Sequence, residues 1–174
     1  MIVSCLACVP TNEQNTKPNI LLIVADDLGY ADLGCYGGDI ETPNLDELAK
    51  RGTRFSQFHT APYCAVTRAM LLTGNNSHVA GMGSQSLVTG VAGYEGKLSD
   101  RIVTIPQLLK DAGYHTYMTG KWHLGLTPDA NPSRKGFEHS FALLEGAGNH
   151  YTNVGFDPEH PESPYTENGE KIVW

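Results

Sequence analysis

The sequence lacks the features that mark several common classes of protein. Its 174 residues carry 12 Lys and Arg against 19 Asp and Glu, and the net charge of −7 is spread along the chain. There is no basic stripe for nucleic acid and no Lys/Arg-rich amphipathic face for a membrane. No apolar run is long enough to span a bilayer. These absences argue against nucleic-acid binding and against a membrane-spanning segment.

Cysteine is scarce as well. The four cysteines form neither two clustered Cys-x-x-Cys pairs nor a dense disulfide framework; they are Cys5, Cys8, Cys35 and Cys64. Cys5 and Cys8 have the spacing of a metal or redox pair, but IVSC at residues 2–5 also resembles a lipoprotein lipidation box. We therefore expect residues 1–16 to be either the remnant of such a signal with its polar linker or an unstructured terminus. The first reading implies an exported, periplasmic or outer-membrane lipoprotein, in contact with the membrane only through a lipid anchor.

What is present is the composition of a globular protein, with 40% hydrophobic and 18% charged residues. The apolar run at residues 19–24 is typical of a strand buried on both faces, as in a parallel sheet. Alternating Phe and polar residues predict a second strand over 53–59, and a third is predicted over 114–118. After Thr127 the pattern indicates only a weak strand, at 171–174.

Three helices are predicted between these strands. Thr42 and Pro43 provide a cap and a first helical residue, and Gly52 ends that helix. The other two helices run from Cys64 to about residue 72 and over 104–112. Residues 75–100 are rich in Gly, Ser and Asn and are interpreted as a long functional surface loop. The alternation predicts an α/β fold, with a mainly parallel sheet and flanking helices, over residues 17–174.

Two adjacent carboxylates, Asp26 and Asp27, directly follow the first predicted strand. Ligands of open α/β sheets gather at the carboxyl ends of strands, and oxygen ligands suit Ca²⁺ or Mg²⁺. The pair therefore indicates a metal site. The alternative is a solvated acidic turn, because Asp is favoured in turns.

Cys64 opens a predicted helix and Arg68 follows one turn later on the same face. Helix amides, the helix dipole and the guanidinium would stabilise a thiolate or a bound sulfate there. The alternative is a buried structural cysteine, with Arg68 paired to a carboxylate. Lys121 and His123, taken alone, are as well explained by a surface lysine and a hydrogen-bonded loop histidine.

Taken together, these segments resemble the type I sulfatase family of the alkaline phosphatase superfamily. CAVTRAMLLTG resembles the family's C-x-P-S/T-R signature with its following helix and Thr-Gly. KPNILLIVADDLGYADLGCYGG resembles the opening strand and metal loop, and TPNLDELAKRGTRFSQFHTAPYC the segment leading to the nucleophile. GYHTYMTGKWHLG resembles the substrate-binding strand and loop, and GFEHSFALLEGAGNHY the bacterial arylsulfatase branch.

The resemblance implies a sulfuric ester hydrolase with one Ca²⁺ per site. The metal ligands that it implies are Asp26, Asp27 and Cys64, and the catalytic residues are Cys64, Arg68, Lys121 and His123. A formylglycine-generating enzyme would oxidise Cys64 to formylglycine, whose hydrate attacks sulfur. Arg68 would hold that hydrate and Lys121 would bind the sulfate, while His123 would orient the nucleophile and help to expel sulfate.

Two departures from the family pattern carry predictions. Val66 stands where the signature has the proline that guides the modifying enzyme, so conversion of Cys64 needs a direct test. The family also completes its metal shell with a later Asp-Asn pair, and its substrate site with a later His and Lys, none of which can be assigned here. We therefore expect an amino-terminal part of a longer catalytic domain that binds calcium weakly and turns over little substrate by itself.

Two other functions stay open at this stage. A phosphate or phosphonate ester hydrolase of the same superfamily would share the fold and the use of a bound metal ion. A non-catalytic remnant that binds sulfated ligands would account for Val66 and for the missing ligands. The expected substrate is a sulfate ester, either a small molecule such as an aryl sulfate or a sulfated glycan.

Overall fold

The computed structural model describes residues 17–172, apart from residues 86, 153, 156, 157, 159, 160 and 163. The expected lipidation box and linker at residues 1–16 lie outside the described residues, as does the end of the strand expected at 171–174. Over the described part of the chain, no helix combines the length and the apolar character needed to cross a membrane.

Three α-helices form close to where the sequence predicts them. They are α1 (Pro43–Arg51), α2 (Cys64–Thr73) and α3 (Ile105–Asp111). Thr42 is the N-cap of α1, with Pro43 as its first helical residue. Gly74 ends α2 in the left-handed conformation, with a φ of 65° that glycine adopts without steric cost. These boundaries depend on local capping chemistry, which is why the sequence predicts them well.

A four-stranded sheet lies in the second half of the chain. Its strands, in spatial order, are β1 (Tyr117–Lys121), β2 (His139–Leu143), β3 (Tyr165–Glu167) and β4 (Glu170–Lys171). β1 and β2 are parallel, whereas β2–β3 and β3–β4 are antiparallel. The α/β class is as expected, but the described sheet is mixed rather than mainly parallel.

Several strand predictions differ from the structure. β1 lies three residues later than the strand predicted over 114–118, and β2 and β3 fall where no strand was expected. The predictions of strands over 19–24 and 53–59 are wrong, because neither segment forms strand hydrogen bonds within the described residues. A buried strand needs neighbours on both sides, and Leu21 and Ile23 are instead 85% and 74% exposed.

The segment over residues 17–26 nevertheless contacts the chain at both ends of the stretch that leads into and includes β1. At its start, the Lys17 ammonium donates to the Ala112 carbonyl and lies 5.6 Å from the centre of the Tyr114 ring. At its end, Asp26 is ion-paired with Lys121, the last residue of β1. The segment therefore runs in the same direction as β1, with its ends held by Ala112 and Lys121.

The core joins α2, the long loop and the β1–β2 pair. Ala65 and Ala69 on α2 pack with Ala142 on β2 and with Trp122, which is 1% exposed and follows β1. The loop over 75–100 has no helix or multi-residue strand in its described part, as expected, and contributes three further core residues, Ala80, Met82 and Leu98. Burial of the alanine face of α2 turns its first residue toward the end of β1.

Candidate active site

Cys64 is the first residue of α2 and is half-buried. Its thiol donates a hydrogen bond to Oε1 of Gln85 at 3.3 Å, and its Sγ lies 3.2 Å from Nδ1 of His123. The side chain therefore faces polar groups rather than the apolar core to which Ala65 and Ala69 on the same helix belong. The alternative of a fully buried structural cysteine does not fit this position.

Arg68 lies one turn after Cys64, with only 14% of its side chain exposed. One guanidinium nitrogen donates to the backbone carbonyl of Lys121 at 2.6 Å, and another lies 3.7 Å from Oδ1 of Asp26. Arg68 is thus paired to a carboxylate, as the alternative of a purely structural role predicts. The same contacts hold its charge at the end of β1.

Lys121 completes this charged group from the other side. It is the last residue of β1, and its ammonium donates to Oδ2 of Asp26 at 2.8 Å. Only 13% of the Lys121 side chain is exposed, against 43% of that of Asp26. One carboxylate therefore lies between two largely buried cations, which converge on a single anionic group.

The charge state of Asp26 follows from this pairing. Burial by itself would raise the pKa of the carboxyl group, because it disfavours the charged form. The hydrogen bond from Lys121 and the charges of Lys121 and Arg68 outweigh it, and the pKa of Asp26 lies below its ordinary value. The group is an anion at neutral pH.

His123 follows β1 in the left-handed backbone region, with a φ of 56°. Burial lowers the pKa of its imidazole to about 4, with help from the charges of Lys121 and Arg68, while Asp26 opposes the shift. The ring is therefore neutral at neutral pH. A neutral imidazole 3.2 Å from Sγ of Cys64 can accept a proton from a group at that position and return it.

The structure brings together five of the six residues that the sequence singled out: Asp26, Cys64, Arg68, Lys121 and His123. Asp27 is the exception. It has a φ of 56° and an exposed side chain, and no hydrogen bond or ion pair joins it to the other five within the described residues. The functional roles of all six stay predictions.

Gln85 is a contact of Cys64 that the sequence did not reveal. It lies in the loop over 75–100, and its only sequence signal was the interpretation of that loop as functional rather than idle. A lone glutamine among Gly, Ser and Asn residues has no spacing that points to a partner. Only the fold brings it to the start of α2.

The residues expected to hold calcium fit that ion in kind but not in number. Ca²⁺ takes roughly six to eight oxygen ligands, and Asp26 and Asp27 supply carboxylate oxygens of the right chemistry. Within the described part of the chain, however, no group of three or more His, Cys, Asp and Glu side chains is arranged to hold a metal ion. Asp26 is moreover engaged by Arg68 and Lys121. The described residues do not make up a calcium site by themselves.

With this geometry established, comparison with known proteins identifies the family. The family model for sulfatases matches residues 18–168, which includes every residue of the candidate site. The chain belongs to the sulfatase family. The resemblance carried by the segments around Cys64 and Lys121 is thereby confirmed over most of this chain, including β2 and β3, which the sequence did not predict.

Three similar proteins show how much of a sulfatase is represented. An uncharacterized sulfatase of Schizosaccharomyces pombe is 49% identical over 160 residues, which cover 87% of this chain and 29% of the relative. An arylsulfatase of Klebsiella aerogenes is 44% identical over 165 residues, covering 91% and 35%. The crystal structure of Ps i-CgsB in complex with k-i-k-neocarrahexaose matches with a TM-score of 0.73 at 37% identity, covering 90% and 37%. The chain thus spans about a third of the length of these proteins.

Proposed function

We propose that the protein hydrolyses a sulfate ester at Cys64. The observation that carries this proposal is the convergence of two largely buried cations, Arg68 and Lys121, beside a thiol and a neutral imidazole. Similarity to named arylsulfatases supports it. Each of the groups has a task in the reaction that its position explains.

The two cations bind the anion. Arg68 and Lys121 already flank one carboxylate, so their charges are placed to flank the oxygens of a sulfate group as well. Both are held before any ligand arrives, Arg68 by the Lys121 carbonyl and Lys121 by its place at the end of β1. Preorganised donors of this kind contribute about 3 to 4 kcal/mol each to the transition state of related reactions.

His123 handles the proton. Because its imidazole is neutral at neutral pH, it can take a proton from a nucleophile at position 64 and later give one back during product release. The backbone N–H of His123 donates to the carbonyl of Leu144 at 3.1 Å, which fixes the loop that carries the ring. Gln85 contacts position 64 from the opposite loop and helps to orient that side chain.

Two further components belong to the proposal. Formylglycine, made from Cys64 by a formylglycine-generating enzyme, would supply an oxygen nucleophile in place of the thiol. Ca²⁺, with Asp26 and Asp27 among its ligands and others from outside the described residues, would supply positive charge at the sulfate oxygens. The steps assigned to Arg68, Lys121 and His123 depend on their own positions.

The proposal also covers the class of substrate and the cellular location of the protein. A solved relative binds k-i-k-neocarrahexaose, so a sulfated glycan is a reasonable substrate beside a small aryl sulfate. The IVSC segment at residues 2–5 supports export to the periplasm or the outer membrane.

The proposal can be tested with the chain produced in its native host. Peptide mass spectrometry measures formylglycine at position 64, and 4-nitrophenyl sulfate and 4-nitrophenyl phosphate are compared as substrates in the presence of calcium. We expect slow hydrolysis of the sulfate ester that Cys64→Ala abolishes and Lys121→Ala reduces on the order of 100- to 1000-fold. Lys110→Ala, which removes a cation near the end of α3, is the matched control and should leave the rate unchanged.

Two outcomes would overturn it. Preferential hydrolysis of the phosphate ester would replace the sulfatase reading with that of a phosphate ester hydrolase. An unmodified thiol at position 64 with no hydrolysis of either ester would identify the chain as a non-catalytic member of the family.

A further inference from the structure

The imidazole of His123 lies against a glycine in the loop that follows β2. A Cβ atom built on Gly146 would lie 2.4 Å from Cε1 of His123, and 2.8 Å from both Nδ1 and Nε2. Real Cβ atoms essentially never come closer than 3.0 Å to another heavy atom. The ring therefore occupies the space that any side chain at position 146 would need.

The backbone fixes this approach from both sides. The N–H of Trp122 donates to the Leu143 carbonyl at 2.8 Å, and the N–H of His123 donates to the Leu144 carbonyl at 3.1 Å. These bonds tie the two residues after β1 to the end of β2 and to the residue that follows it. The residues that lead into Gly146 are thus tied to the residues that carry the ring.

On another side of the ring, Nδ1 of His123 lies 3.2 Å from Sγ of Cys64. A methyl group at position 146 would have to be about 1 Å further from Cε1 to reach ordinary van der Waals contact, which begins at 3.4 Å. If the ring moves to make that room, its distance to position 64 changes by a comparable amount. If the backbone moves instead, the two hydrogen bonds to the β2 side are disturbed.

We propose that Gly146 is a positioning residue for His123: the missing side chain allows the imidazole to lie within reach of the nucleophile at position 64. The inference rests on the proposed function for its effect on catalysis, but the contact itself does not. It also assigns a role to Gly146, a residue of the GFEHSFALLEGAGNHY segment that the mechanism above does not use.

The test is a double-substitution cycle with His123→Ala. For hydrolysis of 4-nitrophenyl sulfate, Gly146→Ala should lower kcat on the order of 100-fold with little change in KM, because a displacement of about 1 Å in a catalytic group has an effect of that size. In the His123→Ala background the ring is gone, and Gly146→Ala should leave kcat unchanged. Equal losses in both backgrounds would overturn the proposal.

A second readout needs no activity. With histidine Cε1 labelled by ¹³C, the His123 resonance is assigned by its loss in His123→Ala, and Gly146→Ala should shift it. Gly52→Ala is the control, since its Cβ would meet only the Leu48 carbonyl at 3.1 Å, at the end of α1, and it should leave that resonance in place. An unmoved resonance in Gly146→Ala would overturn the contact.

The two proposals can fail separately. If the unsubstituted chain hydrolyses nothing, the proposed function fails, while the resonance shift still decides the role of Gly146. If Gly146→Ala does not fold but the double variant does, the clash is with the ring and the proposal stands. If neither variant folds, the requirement for glycine at position 146 comes from the backbone and not from the His123 ring, and the proposal is wrong.

Discussion

At the scale of single residues, Val66 combines a buried side chain with a backbone N–H that the helix does not use. It is the third residue of α2, and the first helical hydrogen bond runs from the N–H of Thr67 to the carbonyl of Tyr63. Proline is tolerated in the first turn of a helix for this reason. The family signature can therefore be restored at this position without removing a helical bond.

We predict that Val66→Pro raises the fraction of Cys64 found as formylglycine, because the resemblance assigns recognition by the modifying enzyme to proline at that position. Peptide mass spectrometry of chains produced in the native host measures the fraction. Val66→Ala is the control: it shortens the buried side chain but keeps the N–H, and it should match the unsubstituted chain. An equal fraction in all three chains would contradict the prediction.

The candidate site shows what single residues reveal in advance. Asp26, Cys64, Arg68, Lys121 and His123 could be singled out in advance because they lie in segments that resemble sulfatase motifs, which give each of them a role, and the structure places them together. Gln85 and Gly146 could not be found this way. Their importance lies in what they approach, and only the folded chain defines that.

At the scale of elements, α3 is joined to the rest of the fold through its N-cap, Thr104, which is fully buried. Its backbone N–H donates to Oε1 of Gln107 at 2.9 Å, and its hydroxyl donates to the carbonyl of Lys135. One residue therefore starts the helix and ties it to the turn at Pro132–Lys135 before β2. Loss of the hydroxyl would leave a buried carbonyl unsatisfied.

Thr104→Val should accordingly lower the free energy of unfolding by about 1 to 3 kcal/mol, because the shape is preserved and the hydrogen bond is lost. Urea unfolding followed by tryptophan fluorescence measures the change, since buried Trp122 reports on the core. Thr104→Ser keeps the hydroxyl and should retain most of the stability. A valine variant as stable as the unsubstituted chain would show that the bond to Lys135 contributes nothing.

Helices and strands differ in how far the sequence predicted them. Capping residues lie beside the helices that they start, so the boundaries of α1, α2 and α3 depend on residues close to them in sequence. Strands depend on partners distant in sequence, and the apolar run at 19–24 has no hydrogen-bonded strand partner within the described residues. The last two strands do have one local signal: Asn168-Gly169, with φ values of 51° and 95°, is the tight turn that joins β3 to β4.

At the scale of the whole molecule, large apolar side chains are exposed in many parts of the described chain, and one run of them is consecutive in sequence. The four side chains of this run, Ile20, Leu21, Leu22 and Ile23, are between 56% and 85% exposed. Contiguous apolar patches favour association, whereas scattered apolar residues do not. We call the exposed side chains of Ile20, Leu21, Leu22 and Ile23 the apolar patch of the 174-residue chain.

We predict that this chain self-associates when it is purified alone, with a mass by light scattering above the 18.9 kDa of a monomer. Replacing both Leu21 and Ile23 by Lys should shift the population toward monomer, because it places two charges in the patch. Leu108→Lys alters a single exposed residue on α3 and should have little effect. A monomeric unsubstituted chain at tens of micromolar would refute the prediction.

The two end contacts of residues 17–26 also have a consequence for the candidate site. Nine residue steps separate Lys17 from Asp26, and nine separate Ala112 from Lys121, the groups to which they are tied. Because a side-chain contact holds each end, the segment keeps its direction along residues 112–121, although it forms no strand hydrogen bonds with them. The ion pair that places the Asp26 carboxylate in the candidate site is thus also the contact that holds the end of this segment.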